Sequence, residues 1–469
     1  MFDPSARAIQ TSHSEAAGRF LDWVEARPDW LRHETFGDLF SSLATVISNV
    51  PGIPPEEGFG LQPWPLLISP QRRAEQVEAV VGLGRLVRSV PQRFFDCDPR
   101  AVAEFYGLDA MSADLFLAEP NDLASAPCRG DFVETAAGLQ CLELNFGSLG
   151  GWQETVFAEP YLSSSIHAPW VRDLGVELSY TSSLETLFEY LLDEVAAARR
   201  LAADEVNVLI LVADEGINSV LAHAPERYRA EYAKVRRRRG EVGGHVEVVG
   251  VSEVEFRRGE VWARGRRFQA VVEQSDSVTS AALFRSFKAG RVVLMGGFSG
   301  LILGDKRNLA LLSEAQETDR LDDRERRLVR RFVPWTRWVR PGPVEHDGRS
   351  RELRDLLLEE RSRMVLKAAQ SLGGGDVHVG LFETAESWRR RVDEALEDGA
   401  WIAQEFVESL PWILQQGERG WAPYAVVWGL FAFGERFGGT YLRMAPQGTD
   451  PVLNVARGAR VGLAFVAEG

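Results

Sequence analysis

The segment Cys141-Leu142-Glu143-Leu144-Asn145-Phe146-Gly147-Ser148-Leu149-Gly150-Gly151 is the most informative stretch of this chain. Polar and apolar residues alternate from Leu142 to Phe146, so on a strand Glu143 and Asn145 point to one face while Leu142, Leu144 and Phe146 point to the core. A carboxylate and an amide oxygen side by side form a hard oxygen pair of the kind that holds magnesium against phosphate. Taken alone, a Glu-x-Asn pair is more often a solvent face. The glycines that follow alter the balance, because a strand ending in glycine backbone can bring amides close to a ligand.

Working outward, Asp131-Phe132-Val133-Glu134-Thr135 is a second short apolar run, separated from Leu139 to Phe146 by Ala136-Ala137-Gly138. That spacing predicts a β-hairpin with a short loop. Ser182 and Glu185 match a capping box, followed by Leu184, Leu187, Phe188, Leu191, Leu192 and Val195 at helical spacing. Apolar runs at Val206–Val212, Val246–Val249, Ala270–Val272 and Val292–Met295, with a helical segment from Glu226 to Arg239 after the first, predict a parallel α/β unit over residues 200–300. Residues before 125 read as α-rich, punctuated by Pro51-Gly52-Ile53-Pro54-Pro55 and Gly58-Phe59-Gly60. The basic run Arg236–Arg239 reads either as a phosphate patch or as a solvated helix end. The second fits better, because Glu226 and Glu231 stand beside it and arginine suits a helix C-terminus.

At 469 residues the chain has room for about three folding units. Its 53 Lys+Arg against 68 Asp+Glu leave a net charge of −15, which argues against nucleic acid or an anionic membrane as partner. A content of 45% hydrophobic and 26% charged residues places it among folded globular proteins. Cys97, Cys128 and Cys141 form no Cys-x-x-Cys pair and have no histidine at zinc-site spacing, so a reduced cytoplasmic setting is expected. The opening Met-Phe-Asp-Pro-Ser shows no basic segment or apolar core, and the longest apolar stretch, Tyr424 to Phe433, is about half a membrane span, so neither export nor membrane insertion is expected.

Three further stretches could meet a nucleotide. Met364-Val365-Leu366-Lys367 precedes Ser371-Leu372-Gly373-Gly374-Gly375, so a lysine ending a strand and a glycine loop could together hold phosphate oxygens. This is not a Walker loop, whose lysine follows its glycines. Gly300-Leu301-Ile302-Leu303-Gly304-Asp305-Lys306-Arg307 is a near miss for that motif. Taken singly, either lysine is more often a surface residue. Trp401 to Glu408 alternates apolar and acidic residues, as a half-exposed strand does; its backbone could also meet an adenine edge.

The succession Arg129-x-Asp131, Glu143-x-Asn145 with Gly-Gly, Gly304-Asp-Lys306, Lys367 with the triple glycine, Gln404-Glu405-Phe406-Val407 and Tyr441-Leu442-Arg443 resembles the ATP-grasp ligases of circularly permuted order. Eukaryotic-type glutathione synthetase and, more distantly, glutathionylspermidine synthetase are of this type. The resemblance spans about residues 125–460. It implies an α+β and α/β ATP-grasp fold with an inserted parallel α/β substrate domain at 200–300 and a Gly-rich lid at about 350–408. The ATP-grasp core would then comprise 126–199 and 301–469, behind an α-rich region at 1–125.

Residue by residue, the resemblance implies that Glu143 and Asn145 bind Mg2+, that Lys306 and Lys367 contact ATP phosphates, and that Gly373, Gly374 and Gly375 form the lid loop. Gln404, Glu405, Phe406 and Val407 would be the adenine hinge. Gly150 and Gly151 would lie against the acceptor, and Arg129 and Arg443 would bind a substrate carboxylate at the reacting centre. Asp131 offers Arg129 a structural ion pair as the alternative. Two departures stand out. Ala368-Ala369-Gln370-Ser371-Leu372 occupies the place of a third magnesium-binding glutamate, and Met444-Ala445 follows Arg443 where glutathione synthetases carry a nucleotide-binding lysine. The expected activity is an ATP- and Mg-dependent carboxylate–amine ligation on a small acid or peptide, with a homodimer compatible. The alternatives are a nucleotide-binding protein of the same fold without turnover, acting as an interaction or regulatory partner, and an α/β substrate-binding module with no nucleotide.

Overall fold

The computed structural model describes residues 2, 4–27, 62, 64–117, 125–147, 149–151, 158–159, 161–162, 167–198, 201, 205–214, 224–274, 280–296, 299–370, 376–416, 420–448, 452–453 and 458–468. The breaks expected at 51–60 and the glycines at 373–375 lie outside these residues.

The apolar run from Tyr424 to Phe433 belongs to the strand Trp421–Phe433, with Tyr424, Trp428 and Phe431 fully buried. This strand is central to a six-stranded antiparallel sheet ordered Arg460–Gly462, Arg436–Pro446, Trp421–Phe433, Cys128–Thr135, Gly138–Phe146, with Trp412–Gln415 also pairing Trp421–Phe433. The helix Pro70–Phe95, capped by Ser69, sends Leu83, Leu86, Val87 and Val90 into a core shared with Phe132, Leu144, Trp428, Leu430 and Leu442. The helix Ser183–Ala197 contributes to a second core with Phe431, Phe433 and Tyr441 from strands of the same sheet. Its cap is the one read from sequence: the Ser182 hydroxyl accepts the Glu185 N–H, worth about 1 kcal/mol.

The predicted hairpin is Cys128–Thr135 with Gly138–Phe146. Its alternation departs from expectation at one point. The register slips between Asp131 paired with Glu143 and Phe132 paired with Cys141, so Leu142 is a bulged residue and only half-buried, not a core residue beside Leu144 and Phe146.

The four expected parallel strands are present as Val293–Met295, Ala270–Glu273, Val208–Val212 and Val246–Gly250, adjacent in that order. The helix Ala224–Arg238 carries the basic run, and acidic side chains compensate it. Arg238 bonds to Glu185 and Glu189, Arg239 to Asp193 and Glu241, and the buried Arg236 to Glu241. Three of the four arginines are thus already paired with acids, which favours the helix-end reading over a phosphate patch.

A separate antiparallel sheet orders Thr336–Trp338, Trp401–Glu405, Met364–Ala368 and Val377–Val379. Helices Leu353–Glu359 and Ala385–Asp398 pack on it through Leu353, Leu356, Leu357 and the buried Trp388, whose indole donates to Leu357 O at 2.7 Å. Before residue 125 the described elements are mainly helical: Pro4–His13, Glu15–Glu25, Pro70–Phe95, Pro99–Tyr106 and Ala110–Leu117. Among the described residues, no helix is long and apolar enough to cross a membrane.

Candidate functional site

The hairpin register places Arg129 opposite Asn145 and Asp131 opposite Glu143, so four polar residues gather on one sheet face. Gly429 and Tyr441 continue the Asp131 row on the next two strands. A Cβ on Gly429 would stand 2.9 Å from Tyr441 O and 3.3 Å from Arg129 Cδ, so the row accommodates the guanidinium because this position is glycine.

Arg129 and Arg443 both reach Asp131. Arg129 Nε lies 3.2 Å from Oδ1 and Arg443 Nη2 2.6 Å from Oδ2, and each guanidinium stands over the Tyr441 ring at 5.7 and 5.6 Å. Asp131 is 2% exposed. Burial alone would raise its pKa, but the two arginines outweigh it and hold the carboxyl down at about 2. The ion pair considered for Arg129 therefore exists, and it includes Arg443 as well. Arg129 also donates to Gly150 O at 2.9 Å, and Gly151, at φ +110°, lies flat on Tyr441, whose ring a Cβ would approach to 2.8 Å. The two glycines thus line the arginine pair, with local structural reasons for being there.

Asn145 Nδ2 donates toward Glu143 Oε1 at 3.3 Å and Asp131 Oδ2 at 3.4 Å, tying the two carboxylates together. Lys306 Nζ lies 3.5 Å from the other Glu143 oxygen. Its neighbouring glycines are needed for close backbone approach. A Cβ on Gly300 would meet Gly147 Cα at 2.8 Å, so the short helix Ser299–Leu303 needs this glycine to sit against the end of the hairpin strand, while a Cβ on Gly304 would meet Gly300 O, in its own turn, at 2.6 Å. Asp305, buried, accepts from Arg307 at 3.0 and 2.8 Å and from Gln370 at 3.0 Å. The Lys306 N–H donates to Ala369 O at 2.9 Å, which fixes this loop beside the strand that carries Lys367.

Lys367 is buried. Its ammonium donates to Leu142 O at 2.9 Å, beside the carbonyl's own bulge, and to Gln404 Oε1 at 2.7 Å. Burial, with Lys306 adding repulsion, pushes its pKa down to about 8 despite Glu143. The Gln404 side chain is engaged at both ends, its amide donating to Thr336 Oγ1 at 3.1 Å, so it positions Lys367. In the expected hinge, the N–H groups of Glu405 and Phe406 are bonded to Trp335 O and Arg363 O, so an adenine would have to meet other edge groups of the 404–407 segment.

The structure therefore assembles Arg129, Glu143, Asn145, Gly150, Gly151, Lys306, Lys367 and Arg443 around Asp131, with Gln404 behind Lys367. Sequence reading gave Asp131 no role beyond pairing with Arg129. The Arg-x-Asp spacing was the available signal, but its second partner lies more than 300 residues away. A second convergence joins His346, Asp347 and Glu405, whose ligand atoms lie within 4.8 Å of one another. Arg363 bridges the two carboxylates at 3.2 and 3.0 Å, so a cation is already there.

No protein-family model matches the chain, and no curated protein matches it. Among solved structures it is similar to a glutathione synthetase-like effector from Globodera pallida in its apo form, with 11% identity, a TM-score of 0.57, and coverage of 93% of this chain and 97% of that one. A protein from Methylobacillus flagellatus provisionally described as a gamma-glutamylcysteine synthetase matches at 11% identity and a TM-score of 0.40, covering 82% of this chain and 87% of that one. At such identity the likeness is one of fold: a mixed α/β chain with several sheets and a glutathione synthetase-like architecture.

Proposed function

We propose that this chain is an ATP- and Mg2+-dependent carboxylate–amine ligase of the permuted ATP-grasp type, acting through an acyl phosphate on a small acid or peptide. The observation that carries this reading is the charge of the site. In a chain of net charge −15, Arg129, Arg443, Lys306 and Lys367 gather about two carboxylates among the described residues, Asp131 and Glu143. An anionic ligand compensates such an excess, and a buried lysine with a lowered pKa is favourable chiefly where an anion will pair with it.

The donor set fits magnesium. Glu143 offers a hard carboxylate oxygen, and the Asn145 amide, which points its Nδ2 hydrogens at Glu143 and Asp131, would turn to offer Oδ1 beside it, while Asp131 stays with Arg129 and Arg443. Bound there, magnesium would neutralise phosphate charge. Lys306 and Lys367 would hold the phosphates, Arg129 and Arg443 would orient the acid, and the lid and 404–407 segment would cover the nucleotide. The carboxylate oxygen attacks the γ-phosphorus and ADP leaves. The amine then attacks the acyl carbon, phosphate departs, and the amine proton is lost. Positioning and charge neutralisation carry both steps.

ATP, Mg2+, a panel of amino acids and short peptides, and hydroxylamine test the proposal. The reading predicts acyl hydroxamate equimolar with ADP. ATP-induced thermal stabilisation with neither product would favour the second reading, a nucleotide-binding partner protein without turnover, for which the absent lid glutamate speaks.

A further inference from the structure

Glu143 faces two cations at once. Lys306 Nζ stands 3.5 Å from its Oε2, and the Lys306 side chain is only 6% exposed. Lys367 feels the attraction of the same carboxylate and the repulsion of Lys306. The Lys306 backbone has little freedom to withdraw: its N–H is bonded to Ala369 O, its carbonyl accepts from Leu309 at 3.1 Å, and the preceding helix is packed through Gly300. The side chain, with its flexible four-carbon stem, is the part that can reorient. On the other Glu143 oxygen, Asn145 presents its Nδ2 hydrogens; a metal would require the amide to turn and offer Oδ1 instead.

We infer that Lys306 is the resident counter-cation of Glu143, competing with a divalent metal for that carboxylate, and that metal binding hands the Lys306 ammonium over to the phosphates of the nucleotide. This rests on the proposed magnesium–nucleotide reading and adds a coupling to it. Metal alone must displace a buried ammonium from its half-buried carboxylate partner, and nucleotide alone finds that ammonium engaged. Each ligand removes the other's obstacle, so their affinities rise together and by the same factor.

The test is Mn2+ binding to the full chain, followed by electron paramagnetic resonance without nucleotide, in the wild type, Lys306→Met and Lys306→Arg. Removing the ammonium should strengthen Mn2+ binding at least fivefold in Lys306→Met, while Lys306→Arg should stay near wild type. Equal Mn2+ affinity in wild type and folded Lys306→Met would overturn the competition while leaving the metal reading intact. Absence of Mn2+ binding in every variant, with or without ATP, would overturn the metal reading and this inference with it. Should Lys306→Met not fold, Glu143→Gln reports the same coupling from the other side: it should bind metal-free ATP in EDTA severalfold more tightly than wild type. Unchanged or weaker affinity there would sink the inference.

Discussion

Lys367 allows the site assignment to be checked by counting protons. Its ammonium is buried with a pKa of about 8 against an ordinary 10.5, so the free protein is half-neutral there at pH 8. A phosphate oxyanion arriving beside it restores the charged form. If binding returns the pKa to its ordinary value, nucleotide uptake carries about a tenth of a proton at pH 7, about half at pH 8 and about 0.9 at pH 9. The same linkage weakens nucleotide affinity about tenfold between pH 7 and pH 9. Phosphate monoesters ionise near pH 6, so the ligand itself adds little above pH 8. Calorimetry of a non-hydrolysable ATP analogue, run at each pH in two buffers of different ionisation enthalpy, reads the proton count directly. Lys367→Met should abolish the rise between pH 7 and pH 9. Uptake that is flat with pH, or a rise that survives in Lys367→Met, would show that no phosphate meets this amine.

Asp131→Asn leaves two half-buried guanidiniums without their buried carboxylate and should destabilise the fold by about 3 kcal/mol in thermal unfolding; an unchanged melting temperature would remove Asp131 from the centre of the site. Because the native Asp131 pKa lies below its unfolded value of 3.8, its contribution, roughly 2 kcal/mol, is complete above about pH 4 and lost as pH falls toward 2. The acid limb of wild-type stability should therefore be shallower in Asp131→Asn. Replacing Arg443 with Lys keeps charge but loses the fork, so a substrate role predicts a raised KM for the acid and little change for ATP. A lowered melting temperature with acid KM unmoved would leave Arg443 as a partner of Asp131 alone. Gly300→Ala places a methyl 2.8 Å from Gly147 Cα, so it should push the short helix off the hairpin, lower the melting temperature and weaken nucleotide binding through Lys306. Wild-type behaviour in both would contradict the packing role.

Some of this was legible in the sequence because local chemistry determined it. The hairpin from Cys128 to Phe146, the Ser182 cap and the four parallel strands follow from alternation, side-chain capping and apolar runs, and each formed close to its expected span. The Leu142 bulge was not legible, since its carbonyl finds its partner in Lys367, 225 residues away. Gly300, in a segment read as a near miss for a phosphate loop, sits where the short helix meets the hairpin strand, a contact that only the neighbouring chain reveals. The pairing of Asp131 with Arg443 was not legible either, because Arg443 reaches it through sheet order rather than sequence. Arg236–Arg239 were read correctly as a helix end, although the acids that neutralise them come largely from the helix Ser183–Ala197.

The most direct measurement is a crystal structure of the full chain with Mg2+ and a non-hydrolysable ATP analogue. Magnesium is predicted on Glu143 and Asn145, the terminal phosphates between Lys306 and Lys367, and the base against the 404–407 segment. Nucleotide bound elsewhere, or no nucleotide at millimolar concentration while Lys306 stays on Glu143, would contradict it.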